Sequence, residues 1–92
     1  MSDLELGQAI HQLFTARSIV EHYEAKLDRM IEENPDPEQF DSPLFQEFNE
    51  VKAMAGAIAR TIKPHVVSLE DRDLAKHKAY REYLRSLKEF EK

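Results

Sequence analysis

Apolar residues recur every three or four positions along the first third of the chain. This is the period of one face of an α-helix, and it is sustained over more than three heptads. The pattern therefore predicts a helix over about residues 3–33, which begins at Ser2 or Asp3 as N-cap and packs against other helices. Its apolar seam consists of Leu6, Ala9, Leu13, Ala16, Val20, Tyr23, Leu27 and Met30.

A second seam of the same period follows a proline-rich loop, which is expected at residues 34–42. Ser42 followed by Pro43 is a helix-start signal, and Pro64 cannot continue a helix. A second helix is therefore predicted over about residues 43–63. Its seam consists of Leu44, Phe48, Val51, Ala55, Ile58 and Ile62.

The two seams are expected to pair in a long antiparallel hairpin. The offset that aligns both of them places Tyr23 beside Val51 and Leu13 beside Ile62. Large side chains then meet small ones at several levels, as interdigitated packing requires. The small residues around Gly56 indicate a place where another backbone comes close.

A third helix is predicted as one continuous element over about residues 69–91. Ser68 with Asp71 three residues later has the spacing of a capping box. The apolar positions of this helix are Leu74, His77, Tyr80, Tyr83, Leu84, Leu87 and Phe90. The sequence thus predicts a single all-α domain over residues 1–92, in which a hairpin and a C-terminal helix form a coiled-coil-like helical bundle as a homodimer.

The prediction of a homodimer comes from the small size of the chain. A core of 92 residues is thin, and without cysteine neither a disulfide nor a cysteine-based zinc site can reinforce it. The second helix reaches only the level of Leu13, so the start of the first helix is covered by nothing except the third. Leu4, Leu6 and Ile10 are therefore predicted as dimer-interface residues.

Charge is distributed unevenly along the chain. Residues 1–50 contain twelve acidic and three basic residues, whereas residues 51–92 contain ten basic and six acidic residues. The net charge of the whole chain is −5. One interpretation is charge complementarity within the fold or between subunits. The other is a basic surface that binds an acidic ligand.

The basic residues of the third predicted helix are spaced alternately by three and four positions, and we call them the basic stripe. They are Lys78, Arg81, Arg85, Lys88 and Lys92. Tyr80 and Tyr83 flank them. The stripe could be a solvated face with local ion pairs, a site for the acidic first helix of a neighbouring subunit, or a binding surface for an acidic protein or a nucleic acid. The pI of about 5.3 and the interleaved glutamates favour a protein partner over a nucleic acid.

The chain lacks the usual signatures of catalysis. It contains no glycine-rich phosphate loop, no nucleophile elbow and no plausible triad. His11 and His22 are three helical turns apart, too far to bind one metal within a subunit. We therefore expect no cofactor and no metal, and the sequence favours a small, non-enzymatic regulatory or adaptor protein that binds another protein.

An alternative comes from Arg60 and His65, whose R-x4-H spacing resembles the motif of HEPN-type ribonucleases. In that family an arginine and a histidine near a helix end act on a phosphodiester, and the resemblance implies the same pair here. It covers six residues, with Thr61 where the family usually has Asn or Asp and with Pro64 inside the motif. In the other interpretation Arg60 is an exposed residue and His65 caps the second helix.

The N-terminal residues resemble no targeting signal. They form neither a positively charged segment nor an apolar one, and no apolar run long enough to span a membrane follows. The sequence therefore predicts a cytoplasmic protein without membrane association.

Overall fold

The computed structural model describes residues 1–33 and 43–90. These residues form α1 at Asp3–Glu33, α2 at Pro43–Ile62, a 3₁₀ turn at Lys63–His65, α3 at Asp71–Ala75 and α4 at Lys78–Phe90. They contain no strand, which confirms the predicted all-α class. The predicted loop at residues 34–42 and Lys92 of the basic stripe lie outside the described residues.

α1 begins at an N-cap that the sequence supplies. The Oγ of Ser2 accepts a hydrogen bond from the Glu5 N–H at 3.2 Å, and the Ser2 carbonyl accepts one from the Leu6 N–H at 2.9 Å. The side-chain bond satisfies an N–H group that has no partner inside the helix. Acidic Asp3 and Glu5 in the first turn also interact favourably with the positive end of the helix dipole.

The hydrophobic core lies at one end of the molecule, where the first half of α1 meets every later element. We call this part, residues 1–17 and 55–89, the head. Side chains from all four helices form its buried cluster, which consists of Leu6, Ile10, Leu13, Ile62, Leu74 and Ala79. The ion pair between Arg17 and Asp71 also joins α1 to α3 in the head.

The rest of α1 packs against the first half of α2, and we call residues 18–33 and 43–54 the arm. Neighbours occur in opposite order along the two helices, since Ile31 lines a groove with Phe45 whereas Ala16 lines a depression with Ile58 near the head. Leu27 is the only buried side chain among the described arm residues. The arm is therefore much less covered than the head.

A hydrogen bond between Tyr23 and Glu47 gives the arm a measurable pH dependence. The Tyr23 hydroxyl donates to Glu47 Oε2 at 3.0 Å, and this bond, together with the carboxylate charge, raises the pKa of Tyr23 above its ordinary value of 10.0. A raised pKa in the folded state contributes stability that is complete below the unfolded pKa and disappears as pH rises through the folded pKa.

We expect Glu47→Gln to lower the pKa of Tyr23 toward its ordinary value, because the charged acceptor is removed. Ultraviolet spectra of phenolate formation measure this pKa, and Tyr23→Phe identifies which transition belongs to Tyr23. Glu50→Gln, a nearby change of the same kind on α2, is the control and should leave the transition unchanged. An unaltered Tyr23 transition in Glu47→Gln would contradict the assignment.

The prediction of a single helix over residues 69–91 is wrong, because two helices occupy this segment. Leu74 in α3 and Ala79 in α4 are both buried, at 0% and 1% exposure. Five residues correspond to a rotation of about 140° on a straight helix, so one helix could not turn both side chains toward the same core. The break between α3 and α4 removes this conflict.

His77 begins the helix that follows the break. Its Nδ1 accepts a hydrogen bond from the Ala79 N–H at 3.1 Å, and its carbonyl accepts one from the Arg81 N–H at 3.1 Å. His77 therefore acts as the N-cap of α4, in addition to the packing role that its apolar position predicts. The capping box predicted at Ser68 does not form, because Ser68 Oγ accepts from the Glu70 N–H and α3 begins after Glu70.

The close approach of two helices occurs at Gly7. A Cβ added there would lie 2.3 Å from the carbonyl oxygen of Ala79 and 2.6 Å from the Cβ of Tyr83. α1 and α4 can pack at this distance only because residue 7 has no side chain. The approach predicted at Gly56 is not made within the described chain, where a Cβ at Gly56 would meet no atom within 4 Å.

The same packing overturns two of the three predicted dimer-interface residues. Leu6 and Ile10 are 6% and 0% exposed, because they belong to the core that α3 and α4 complete. Leu4 remains 52% exposed. The start of α1 therefore offers far less apolar surface to a second subunit than the sequence predicts.

Candidate functional site

The four described members of the basic stripe lie on the outer face of α4. Lys78, Arg81, Arg85 and Lys88 are all exposed. Ala79 and Tyr83, by contrast, lie against α1 at Gly7. Helical periodicity separates these two sets of residues, so α4 packs with one face and presents a row of cations on the other.

A shallow depression of about 390 Å³ concentrates positive charge beside the start of α4. It is lined by Lys76, Lys78, Arg81, Glu82 and Arg85. Lys76 is a site residue that the sequence pattern does not reveal, because a continuous helix would not bring it to this depression. The break between α3 and α4 does so, and four cations then surround one half-buried glutamate.

Within the described residues, no acidic side chain forms an ion pair with the basic stripe. The two ion pairs found there join Arg17 to Asp71 and Arg72 to Glu70. One interpretation of the sequence is that the stripe cations form ion pairs with the glutamates interleaved among them. The described residues form no such pairs. The four described stripe cations are exposed to solvent, where an external anion can reach them.

Tyr80 and Tyr83 flank the stripe in sequence but pack against α1. The Tyr80 ring centroid lies 5.1 Å from that of Phe14, and the Tyr83 centroid lies 5.5 Å from that of His11. Both tyrosines are half-buried. This placement does not match their predicted partner-binding role, because their rings serve the contact between α1 and α4.

Two leucines give the outer part of α4 an apolar component. Leu84 and Leu87 are 37% and 39% exposed, although the sequence pattern places them among the packing residues. Leu84 lies between Arg81 and Arg85 in the sequence. Apolar side chains beside cations are typical of protein-binding surfaces.

The other sequence candidates lie away from the outer face of α4. Arg60 and His65 are both exposed, the latter in the 3₁₀ turn after α2. His11 on α1 packs at the contact between α1 and α4. It lies far along α1 from His22, whose ring centroid lies 6.3 Å from that of Tyr23. In residues 1–33 and 43–90 no cluster of three His, Asp or Glu side chains could hold a metal ion.

Comparisons of the chain with protein families, with curated proteins and with solved structures find no match. None of the described helices combines the length and the apolar character needed to cross a membrane. The outer face of α4 is the surface of this all-α protein where exposed cations are concentrated.

Proposed function

We propose that this chain is a small, non-enzymatic adaptor or regulatory protein that binds an acidic surface of another protein through the outer face of α4. The observation that carries the proposal is the basic stripe, whose four described members are exposed and form no ion pair with the described acidic residues. From Lys78 to Lys88 the stripe extends over about 15 Å, or nearly three helical turns. An acidic helix or loop of that length would match it.

The surroundings of the stripe favour a protein over a nucleic acid. Exposed Leu84 offers an apolar contact that a phosphate backbone cannot use, whereas the rings of Tyr80 and Tyr83 already pack against α1. The net charge of −5 also opposes binding to a polyanion outside the stripe itself. A protein partner needs only a local acidic patch.

The proposal includes a homodimer in which α1 and α2 form an antiparallel hairpin. The opposite order of neighbours along the two helices supports the hairpin. Further support comes from Val20 and Ala55, a pair in the predicted register, which line one shallow depression. The basic stripe then occurs twice in the assembly, which strengthens binding to a partner that presents two acidic sites.

Reversing two central charges of the stripe is expected to abolish partner binding. Arg81→Glu combined with Arg85→Glu replaces two exposed cations, and exposed substitutions usually change the free energy of unfolding by no more than about 0.5 kcal/mol each. Affinity capture from the native host, with the parent chain and this variant as baits, measures the loss. Lys26→Glu combined with Arg29→Glu is the matched control, because it changes the net charge equally at exposed positions of the arm.

The proposal predicts a partner that the parent and the control both retain and the stripe variant loses, with the same melting temperature and mass for all three chains. A stripe variant that melts earlier or falls apart into monomers would show instead that the stripe binds the acidic α1 of a neighbouring subunit. If the captured molecule is a nucleic acid whose affinity falls steeply with salt, the protein-partner proposal fails.

A further inference from the structure

The arm has a groove of about 250 Å³ with an apolar floor. The lining residues are Glu24, Leu27, Asp28, Ile31, Phe45, Phe48 and Lys52. Ile31 is 42% exposed, and none of the four apolar lining residues belongs to the core cluster of the head. Among the described residues, no third helix covers the arm in the way that α3 and α4 cover the head, and two packed helices leave a face of each uncovered.

The size of the chain indicates how much surface is left over. The radius of gyration is 16.4 Å, against about 12 Å for a compact chain of this length. The accessible surface is 6900 Å², about 1,400 Å² more than the scaling for folded monomers gives at this mass. A standard interface buries about 800 Å² on each partner. The excess over the whole chain is larger than this area.

We propose that the arm groove is the docking surface for the arm of a second copy of this chain, so that the two arms form a four-helix bundle. The occupant is a second copy because the groove is complementary in charge to itself. Its α1 wall carries Glu24 and Asp28, whereas its α2 wall carries Lys52. A two-fold axis lets each wall meet the opposite wall of the partner.

Charge also fixes the direction of the axis. An axis along the arm places α1 of each copy over α2 of the other, so that each Lys52 meets the carboxylates on the partner's α1 wall at the same level. An axis across the arm would set the two α1 walls face to face and bring Glu24 and Asp28 against their own copies, which is repulsive. The two arms therefore point in the same direction.

Lys52 is placed to serve both the groove and its partner. Its Nζ lies 5.2 Å from the centroid of the Phe48 ring, so the side chain extends over the groove floor. Covering this floor with a second arm would desolvate the apolar rings while leaving the ammonium group at the rim, where a carboxylate of the other copy can reach it. This interface rests on the homodimer of the proposed function and gives its geometry, and it does not involve the basic stripe of α4.

Sedimentation equilibrium of the full chain at micromolar concentration tests the proposal first. The parent should have twice the 10.8 kDa mass of one chain. Ile31→Glu should weaken the dimer by at least about tenfold, since the two-fold axis places the new charge in the interface twice. Ile19→Glu is the matched control, because Ile19 lies on the same helix, is 40% exposed and lines a different depression.

A charge exchange tests the cross-pairing itself. Lys52→Glu and Glu24→Lys chains should each dimerise at least about tenfold more weakly than the parent, because each homodimer sets like charges opposite one another twice. Mixing the two variants should restore the dimer, because both pairs between position 52 of one chain and position 24 of the other are then of opposite charge. Circular dichroism checks that both chains remain folded.

A parent chain that sediments as a monomer at this concentration would overturn the proposal. Dissociation by Ile19→Glu instead of Ile31→Glu would move the interface to the other face of the arm, and a failure to recover on mixing would refute the parallel arrangement. The stripe variant Arg81→Glu with Arg85→Glu should keep the dimer mass. The dimer and the α4 binding surface can therefore fail independently.

Discussion

Leu74→Ala is expected to lower the free energy of unfolding by about 2–5 kcal/mol, because it leaves a cavity in a fully buried site. Leu74 has 0% exposure although it belongs to a helix of only five residues. A domain of this size has a total stability of only about 5–14 kcal/mol. The Leu74 side chain, in the shortest α-helix, therefore supplies a large fraction of the free energy that keeps α3 and α4 packed on α1.

Urea unfolding monitored by circular dichroism measures this loss, at one chain concentration because association would shift the midpoint. Leu4→Ala is the matched control. Leu4 is 52% exposed, so its truncation should cost about 0.5 kcal/mol or less. Equal midpoints for the two variants would mean that Leu74 is not in the core.

Alanine at the two glycines is expected to change stability in opposite directions. Gly56 lies in an exposed helix interior with nothing near its missing Cβ, so Gly56→Ala should stabilise by about 1 kcal/mol through helix propensity. Gly7 has the same propensity gain available, but its new Cβ would meet the Ala79 carbonyl oxygen at 2.3 Å. Overpacking against backbone costs about 1–3 kcal/mol, and the short distance places Gly7→Ala at the upper end of this range.

The difference between the two melting temperatures is the quantity to measure, since both variants make the same chemical change in the same kind of element. A Gly7→Ala chain that is as stable as Gly56→Ala would contradict the close packing of α1 on α4. A Gly56→Ala chain that is destabilised would indicate a contact on the outer face of α2 that the single chain does not make.

Helical periodicity in the sequence predicts the burial pattern of α1 and α2 well. Every member of the two apolar seams is buried or half-buried, as the helical period predicts. Ile10 and Gly7 fall outside the first seam, yet both are buried. They face α4, a second neighbour whose position depends on tertiary contacts that a local period cannot encode.

The break between α3 and α4 could not be predicted for a related reason. No proline or glycine marks residues 75–78, and the apolar period continues through His77. The break is imposed by the shared core of Leu74 and Ala79, which a straight helix cannot build. It also brings Lys76 to the basic depression and makes His77 an N-cap, so two features near the candidate site depend on it.

The sequence predicts that the cations of the basic stripe share one helical face, but it does not predict the burial of the neighbouring tyrosines. Spacings of three and four place the cations on one face of any helix, whatever its surroundings. Whether Tyr80 and Tyr83 face solvent depends on which face α4 turns toward α1. Tyr80 packs on Phe14 and Tyr83 packs on His11, so both tyrosines are half-buried. Leu84 is an exposed apolar residue beside the stripe.

The most direct test of the central claim, that the outer face of α4 contacts a protein, is photo-crosslinking in the native host. A photoreactive side chain at position 84 lies beside the basic stripe and leaves its cations in place. The same side chain at Met54, which is 58% exposed on α2, serves as the control. The account predicts one discrete protein adduct from position 84 that is lost when Arg81 and Arg85 are changed to glutamate. No protein adduct from position 84, or the same adduct from both positions, would contradict it.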